Sequence, residues 1–560
     1  MIDNAFPPGL VLLLGAFVLP FLTGHIRNVV ALALPLVALF LVWGVPDGPA
    51  LTVGWFGYEL VPVQGDALSR LFATVFTIMA FAGGLFALHQ PYRFELAAAY
   101  AYAGSAVGVV FAGDLLTVFI FWELMALAST LVIWCAGPAA WGSSIRYAVI
   151  HLLGGVVLMA GIAAQVTTTG SIAFTAMELD SIGTWLILLG FLLNVGAPPF
   201  SAWLPDAYPA ASWSGTVFLS AFTTKTAVFV LLRGFPGSEI LIWIGLYMVF
   251  YGIVYAILEN DMRRILAYSI VNQVGFMVTG IGIGSEMALN GAAAHAFAHI
   301  IYKALLLMSA GSVLYATGKS KCTDLGGLFR TMPVTTICGI IGALSISAFP
   351  LTSGFISKSM ISQGAADAHL AFVWFALAAA SAGVFLHAGI KFPWFVFFQK
   401  DSGLRPPDPP ANMTSAMWFL SALCIGLGMF PGPLYAILPY PVDYVPYTWS
   451  HVVFQLQLLL FSGLAFFLLL RQLKRTETIT LDFDWFWRGL GRALGREFDG
   501  LSGAAWDRFA GRVLQAAQRF VAGVYRHHGP QGVLARAWPT GSMALWATLL
   551  LAAWLVIYYV

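Results

Sequence analysis

The sequence predicts an all-α polytopic membrane protein, on the basis of its composition and of two properties of its apolar segments. Of the 560 residues, 60% are hydrophobic and 9% are charged, whereas about a quarter of the residues in soluble proteins are charged. Apolar runs of about twenty residues recur along the chain, the length that an α-helix needs to cross a hydrocarbon core. The runs are continuous and not alternating, which excludes a membrane β-barrel.

Sixteen apolar runs are present, and short loops with proline, glycine or charge separate most of them. The runs cover residues 8–24, 28–44, 67–88, 94–112, 115–135, 147–168, 183–203, 214–233, 239–257, 266–284, 290–316, 336–365, 370–397, 414–436, 452–471 and 542–560. Acidic Asp3, with no basic segment, precedes the first run, so this run is expected to be a membrane helix and not a cleaved signal.

The distribution of lysine and arginine predicts the orientation of these helices. Basic residues such as Arg146, Arg263 and Lys400 concentrate in the loops after odd-numbered runs, whereas Glu178 and Glu286 lie in loops after even-numbered runs. Short cytoplasmic loops carry the excess of lysine and arginine. The N-terminus is therefore expected outside the cytoplasm, in the cytoplasmic (inner) membrane of a bacterium.

Two of the runs contain breaks that indicate an internal repeat. Pro198, Pro199 and Pro205 interrupt the seventh run, and Pro350 and Gly354 interrupt the twelfth. Broken helices five runs apart suggest a five-helix unit that occurs twice, as in many transporters. The predicted segments are 1–90 (N-terminal membrane helices), 91–235 (first repeat), 236–400 (second repeat), 401–475 (C-terminal membrane helices), 476–541 (amphipathic interfacial segment) and 542–560 (final membrane helix).

The segment 476–541 differs from the rest of the chain in its pattern of charged and apolar residues. Arg488, Arg492 and Arg496 recur every fourth residue, Arg512 and Arg519 are seven apart, and apolar residues fall near helical spacing between them. This pattern predicts a basic amphipathic helix in the membrane interface. The alternative is a flexible linker to the last helix.

Ionisable residues inside the apolar runs are the candidate functional residues, because a charge at the centre of a membrane helix costs about 2.5–3.5 kcal/mol. Glu123 lies in the middle of the fifth run and Lys225 in the middle of the eighth. Since a desolvated lysine loses its proton readily, a Glu–Lys couple is interpreted as a proton station, with a structural ion pair as the alternative. Lys358 lies beside the break in the twelfth run, where freed carbonyls would face a watery cavity.

The strongest local pattern is in the eleventh run, where His295, His299 and Lys303 are spaced by four and share one helix face. Two histidines in a row can relay a proton to a lysine. A zinc site is the alternative, but no glutamate follows the first histidine and no third ligand is evident. His151 and His387 are interpreted as core histidines.

No cofactor, metal or nucleic-acid partner is predicted. Cys135, Cys322, Cys338 and Cys424 are scattered without a CxxC pair, and the net charge is only +2. A GIGIG stretch at 280–284 lies inside an apolar run and is a weak dinucleotide signal. The lipid bilayer is the one partner that composition alone predicts.

Six stretches together resemble a known family: WELMALAS, SAWLPDAY, TTKTAVFVLLR, ENDMRRILAYSIVNQVGFM, HAFAHIIYKALLLMSAG and PLTSGFISKSM. They are similar to the antiporter-like subunits, which include the D-type subunits of Mrp-type sodium/proton antiporters and the proton-pumping membrane subunits of respiratory complex I. Membrane-bound hydrogenases and bicarbonate-uptake complexes contain further members. The resemblance implies a core of about fourteen helices with two inverted five-helix repeats.

The resemblance also implies a proton path between two half-channels, driven by electrostatic coupling from neighbouring subunits. The residues that match the family's path are Glu123, Lys225, His295, His299, Lys303 and Lys358. Two positions depart from the family pattern: Asn194 stands where a seventh-helix lysine is usual, and Tyr208 where histidine is frequent. The C-terminal segment resembles the lateral and anchoring helices of the largest antiporter-like subunit of complex I, and it is expected to brace a neighbouring subunit.

The leading hypothesis is an ion-translocating subunit of a multisubunit Mrp-type monovalent cation/proton antiporter, a transporter and not an enzyme. Its expected partners are other membrane subunits, protons and Na+. A first alternative is a proton-pumping subunit of a complex I-like oxidoreductase, membrane hydrogenase or bicarbonate-uptake complex. A second is a structural scaffold with impaired transport, which Asn194 favours and the six retained ionisable residues disfavour.

Overall fold

The structure is a computed structural model that describes residues 5–477, 481–485, 488–489, 491, 511–527 and 540–559. The chain divides into two compact units, Met1–Phe483 and Asp484–Val560. The predicted arginines Arg492 and Arg496 lie outside the described residues. Arg512 and Arg519 lie on a helix that covers residues 511–527, and the interfacial location of this segment stays a prediction.

Helices make up most of the first unit. Its first half contains α1 (Pro8–Val18), α2 (Gly24–Gly44), β1 (Gly48–Trp55), β2 (Tyr58–Gly65), α3 (Ala67–Phe86), α4 (Arg93–Phe111), α5 (Leu115–Trp134), α6 (Pro138–Thr169), α7 (Ile182–Val195), α8 (Trp203–Ala207), α9 (Gly215–Leu219) and α10 (Thr223–Gly234). Short 3₁₀ helices at Leu19–Phe21 and Ala87–His89 follow α1 and α3.

The second half continues in the same manner. It contains α11 (Ile240–Leu258), α12 (Met262–Ile283), α13 (Glu286–Thr317), α14 (Pro333–Ile346), α15 (Ser353–Asp367), α16 (Ala371–Val384), α17 (Ala411–Met429), α18 (Gly432–Tyr435) and α19 (Trp449–Leu468). Two π-helical stretches, Phe385–Lys391 and Trp394–Phe398, extend α16, and 3₁₀ turns occupy Cys322–Asp324 and Leu328–Arg330. The second unit contains α20 (511–527) and α21 (Thr540–Tyr559).

The prediction of an all-α polytopic membrane protein is confirmed. Within the described residues, thirteen helices are long and apolar enough to span a membrane, and the shorter apolar helices Pro8–Phe21, Ile182–Val195 and Pro333–Ile346 occupy the three remaining predicted runs. The helices Gly215–Gly234 and Met262–Ile283 are 100% buried in their apolar windows, whereas Trp449–Leu468 is 22% buried. The centre of the bundle therefore lies at α9, α10, α12 and α13.

Both predicted helix breaks are confirmed. Gly196 ends α7 with a φ of 78°, a left-handed conformation that glycine adopts without strain, and the chain then passes through Pro198 before α8 begins. Between α14 and α15, Ala348 and Leu351 have positive φ values, which are uncommon for residues with a side chain. Each break frees backbone carbonyls from their helical hydrogen bonds.

A third break, which the sequence analysis missed, separates α9 from α10. Lys225 was interpreted as a mid-helix residue, but it lies in the first turn of α10. Tyr102 Oη accepts a hydrogen bond of 2.7 Å from the backbone N–H of Thr223 and so satisfies a donor at the start of this helix. A contact between distant residues therefore stabilises the break, and no proline or glycine marks it in the sequence.

The sequence analysis also missed a β-hairpin between the second and third membrane helices. Strands β1 and β2 pair in antiparallel fashion, and Phe56 and Gly57 form the turn with φ values of 46° and 84°. Two central residues with positive φ are typical of a tight hairpin turn. Asp114 Oδ2 accepts a hydrogen bond of 2.7 Å from the N–H of Val61 on β2, so the hairpin is anchored to the start of α5.

Candidate functional site

Buried lysines and histidines run through the middle of the first unit. The members of this polar axis are Lys225, His295, His299, Lys303 and Lys358, and each is at most 3% exposed. Such residues in a membrane bundle are rare and mark ion paths or paired partners. The contacts of each one distinguish these two cases.

Lys225 is bound by uncharged groups at the break between α9 and α10. Its Nζ donates hydrogen bonds to the Ser220 carbonyl at 2.6 Å and to Thr224 Oγ1 at 3.0 Å. The Ser220 carbonyl is available because α9 ends at Leu219 and does not continue into α10. The side chain can therefore take up and release a proton without breaking an ion pair.

The three predicted relay residues lie on α13 and contact α12 and α15. His295 Nδ1 is 2.9 Å from Ser357 Oγ, and its Nε2 is 3.2 Å from Gln273 Oε1. The rings of His295 and His299 have centroids 6.2 Å apart. Lys303 Nζ donates to the Leu266 carbonyl at 3.2 Å and to Ser269 Oγ at 2.9 Å.

His299 holds the central place in this row of side chains. Neither of its ring nitrogens has a hydrogen-bond partner among the described residues, and its ring lies 5.2 Å from that of Tyr302. A centroid separation of 6.2 Å from His295 is too long for a direct hydrogen bond, so a proton passing between the two rings needs a bridging water.

Gln273 and Tyr302 belong to the axis, although the sequence analysis did not single them out. Tyr302 Oη donates to Gln273 Oε1 at 3.0 Å, and the same oxygen faces His295 Nε2. Gln273 and Tyr302 were detectable as polar side chains inside the stretches SIVNQVGFM and AHIIYKALL. They fix the orientation of the His295 ring between α12 and α15.

Lys358 ends the axis at the second break. Its Nζ donates to the carbonyl of Ile346, the last residue of α14, at 2.8 Å and lies 4.9 Å from the centroid of the Phe276 ring. Because Ser357 precedes Lys358 on α15 and contacts His295, the lysine adjoins the histidine row. One carbonyl freed at the break, that of Ile346, therefore binds Lys358.

A cavity of about 350 Å³, with both polar and apolar lining residues, opens next to Lys358, between α15, α16 and α19. Its polar lining includes Lys358, Ser359, Gln363, Tyr444, His451 and Gln455. Hydroxyl, amide and imidazole groups in a cavity of this size provide hydrogen bonds for several water molecules. The cavity connects the end of the axis with the surface of the bundle.

Lys391 is a further buried lysine that the sequence analysis missed. Its Nζ donates to the carbonyls of Ala256 at 3.2 Å and of Ile257 and Glu259 at 2.5 Å. These carbonyls belong to the C-terminal end of α11, where the negative end of the helix dipole favours a cation. Lys391 thus joins the π-helical part of the thirteenth run to α11.

Glu123 is half-buried on α5 and does not contact Lys225. In the part of the chain that the structure describes, no ion pair joins these two residues, and Glu123 Oε1 has no hydrogen-bond partner. The direct Glu–Lys couple expected from the sequence is therefore not formed. The carboxylate instead packs against α6, where a methyl group at Gly155 would overlap it.

Fold and site together define a class: polytopic membrane subunits with buried ionisable side chains at the centre of the bundle. Residues 112–384 match the family model described as NADH:quinone oxidoreductase/Mrp antiporter, TM. The Na(+)/H(+) antiporter D subunit of Alkalihalophilus pseudofirmus is 30% identical over 381 residues, 62% of this chain and 77% of that protein. The chain belongs to this family.

A second relative and a solved structure agree with this assignment. The probable K(+)/H(+) antiporter A/B subunit of Rhizobium meliloti is 30% identical over 397 residues, 65% of this chain, and the chain spans 40% of the length of that protein. A chain in the structure of the Mrp complex from Dietzia sp. DQ12-45-1b aligns with a TM-score of 0.64 and 21% identity, over 77% of this chain and 91% of that one. This likeness establishes the shared fold.

Proposed function

We propose that the chain is the proton-translocating subunit of a multisubunit Mrp-type monovalent cation/proton antiporter in a bacterial inner membrane, with its N-terminus outside the cytoplasm. The observation that carries the proposal is the set of buried side chains Lys225, Lys303, His299, His295 and Lys358, of which Lys358 lines a cavity. The names of the two relatives, both antiporter subunits, support the same function.

The contacts of the lysines explain how a proton moves along this row. Lys225, Lys303 and Lys358 donate to carbonyl and hydroxyl oxygens and not to carboxylates. An ammonium held by neutral oxygens is stable enough to persist, yet it loses its proton without leaving a buried anion unpaired. Protonation of one lysine also repels a proton from the next, so charge advances stepwise along the axis.

The test is pH-gradient-driven cation exchange in inverted vesicles from antiporter-deficient cells that express all subunits of the assembly. Lys358→Ala is expected to lower Na+-dependent dequenching by at least about tenfold, because the step into the cavity loses its titratable group. Lys319→Ala is the matched control, since Lys319 is exposed just beyond the end of α13. Full exchange by Lys358→Ala would remove this residue from the path.

His451 is expected to assist the exit of the proton. Its ring lines the cavity and stacks on Phe355, one turn before Lys358, with centroids 4.5 Å apart, and Nδ1 is 2.7 Å from the Pro446 carbonyl. His451→Phe retains the stacking and removes the titratable group. Exchange by this variant is expected to fall several-fold, and an unchanged rate would show that water alone carries the proton.

A redox-driven proton pump is the second candidate, because the family description names NADH:quinone oxidoreductase beside the Mrp antiporter. The same vesicles separate the two candidates. Proton uptake that requires NADH, hydrogen or another reductant and does not depend on Na+ would favour the pump. Normal transport by both Lys358→Ala and Lys303→Met in either assay would favour the scaffold alternative.

Neighbouring subunits are the expected source of coupling. Glu123 lies on an outer face of α5 beside the exposed apolar residues Ile120, Leu124 and Leu127. A half-buried carboxylate in an apolar face is costly against lipid, whereas a neighbouring subunit can supply its hydrogen-bond partner. Other membrane subunits are therefore proposed to cover this face.

A further inference from the structure

Glu123, His151 and Asn194 form a polar cluster in the first half of the bundle, and this cluster is not part of the axis described above. Its centre is α6, which lies between α5 and α7. The adjacent glycines Gly154 and Gly155 let both neighbours approach: a methyl group at Gly154 would lie 3.6 Å from Asn194 Oδ1, and one at Gly155 would overlap Glu123 Oε1. The Glu123 carboxylate on α5 and the Asn194 amide on α7 therefore reach the same level of α6.

His151 lies on α6 one helical turn before Gly155, and it is 1% exposed. Its Nδ1 is 2.8 Å from Asn194 Oδ1. Because an amide oxygen only accepts hydrogen bonds, Nδ1 carries the proton and Nε2 carries the lone pair. Nε2 has no hydrogen-bond partner within the described ranges, which leaves a buried basic nitrogen open to a proton.

Two aromatic rings flank His151, and the hydroxyl of one of them starts a chain of hydroxyl groups towards Lys225. The ring of Tyr147, on the same helix, lies 4.0 Å from the His151 ring, and the ring of Trp203 on α8 lies 4.6 Å away. Tyr147 Oη is 3.2 Å from Thr223 Oγ1. Thr223 begins α10, two residues before Lys225.

We propose that His151 is a proton station between Glu123 and Lys225, with Asn194 as its positioning residue. This inference rests on the proposed function. The O–H bond of protonated Glu123 breaks, an N–H bond forms at Nε2, and carboxylate and imidazolium are the products. Glu123 meets α6 about one turn, or about 6 Å, from His151, so a water molecule completes the contact.

Asn194 Oδ1 accepts the hydrogen bond from Nδ1–H and so holds the imidazolium without neutralising its charge. The onward step breaks the new Nε2–H bond and delivers the proton through water and the Tyr147 and Thr223 hydroxyls to neutral Lys225. The asparagine at this position is therefore compatible with transport: the ionisable group of the first half is supplied by α6 and not by α7.

The test uses the complete assembly in inverted vesicles, with exchange measured from about pH 6 to about pH 9, a range that brackets histidine titration. His151→Gln keeps a polar side chain beside Asn194 but cannot carry a proton, and exchange is expected to fall at least about tenfold. His369→Gln, at an exposed loop position, is the control for expression and assembly. Wild-type exchange by His151→Gln at every pH would overturn the proposal.

Asn194→Asp tests the role of His151 through the pH profile of exchange, which would not change if His151 were purely structural. A carboxylate facing Nδ1 stabilises the imidazolium, so proton release needs a higher pH, and the pH profile is expected to shift alkaline by about one unit or more. Loss of rate without this shift would assign His151 a structural role only.

The outcome for Lys358→Ala separates this inference from the proposed function. If Lys358→Ala is inactive and His151→Gln has full activity, only the role of His151 fails. If the wild type exchanges no cation, the same variants are compared in reductant-driven proton uptake, where the same tenfold loss and alkaline shift are expected.

Discussion

Methionine in place of Lys303 is expected to abolish transport, with a loss of at least about a hundredfold. Lys303 is completely buried at the centre of the bundle, and within the described part of the chain its Nζ donates only to the Leu266 carbonyl and Ser269 Oγ. Methionine has a similar length and helix propensity but no titratable group. The change removes a buried charge without creating a cavity, so the variant chain is expected to assemble normally.

The measurement is the initial rate of cation exchange per assembled complex, with the amount of complex determined on a native gel. Ser269→Ala is the graded control, because it removes one of the two oxygen atoms that hold Nζ and keeps the lysine. Its rate is expected to fall between those of the wild type and Lys303→Met. Retention of more than a tenth of the wild-type rate by Lys303→Met would show that protons pass Lys303 by another route.

The apolar runs and the two proline-containing breaks were predictable from the sequence because their causes are local. A run of about twenty apolar residues has one stable form in a bilayer, the α-helix. Pro198 and Pro350 cannot donate a backbone hydrogen bond, so a helix is interrupted at each of them. The relay spacing on α13 was equally readable, since residues four apart on a helix lie on one face.

The features that the sequence analysis missed depend on contacts between distant residues. The break before Lys225 is stabilised by Tyr102, 121 residues away from Thr223, and the stretch FLSAFTTK contains neither proline nor glycine. The pair of His151 with Asn194 spans 43 residues. Its partner on α7 is invisible to any local pattern, which is why His151 was interpreted as a core histidine.

The site differs from the prediction in one general respect, the kind of group that binds the lysines. The sequence suggested a carboxylate partner for Lys225, whereas the structure supplies carbonyl oxygens at helix breaks to Lys225 and Lys358. A charged partner would fix the protonation state of the lysine. Carbonyls stabilise the ammonium less strongly, and this leaves both protonation states accessible during transport.

Arg263→Met is expected to have the largest effect on stability. Arg263 is 4% exposed, and its guanidinium donates to the carbonyls of Pro209 and Ala211 at 2.7 Å and of Ser212 at 2.9 Å. The backbone N–H of Thr216 also donates to the Ser212 carbonyl, at 3.3 Å, so that acceptor stays satisfied in the variant. The Ala211 carbonyl loses the donor that it has in the structure, and a buried unsatisfied acceptor costs about 1–3 kcal/mol.

The loss at Arg263 is large relative to a net stability of about 5–15 kcal/mol, and it acts on the loop that leads into α9 and α10. A lower melting temperature of the detergent-solubilised complex and a reduced yield are therefore expected.

Arg330→Met is the matched control, because Arg330 pairs with Asp401 at 3.4 Å with 59% of its side chain exposed, an arrangement worth about 1 kcal/mol or less. Equal melting temperatures for the two variants would mean that the carbonyls around Arg263 find other donors. A lower exchange rate per assembled Arg263→Met complex would indicate that this loop also holds the break at which Lys225 is bound.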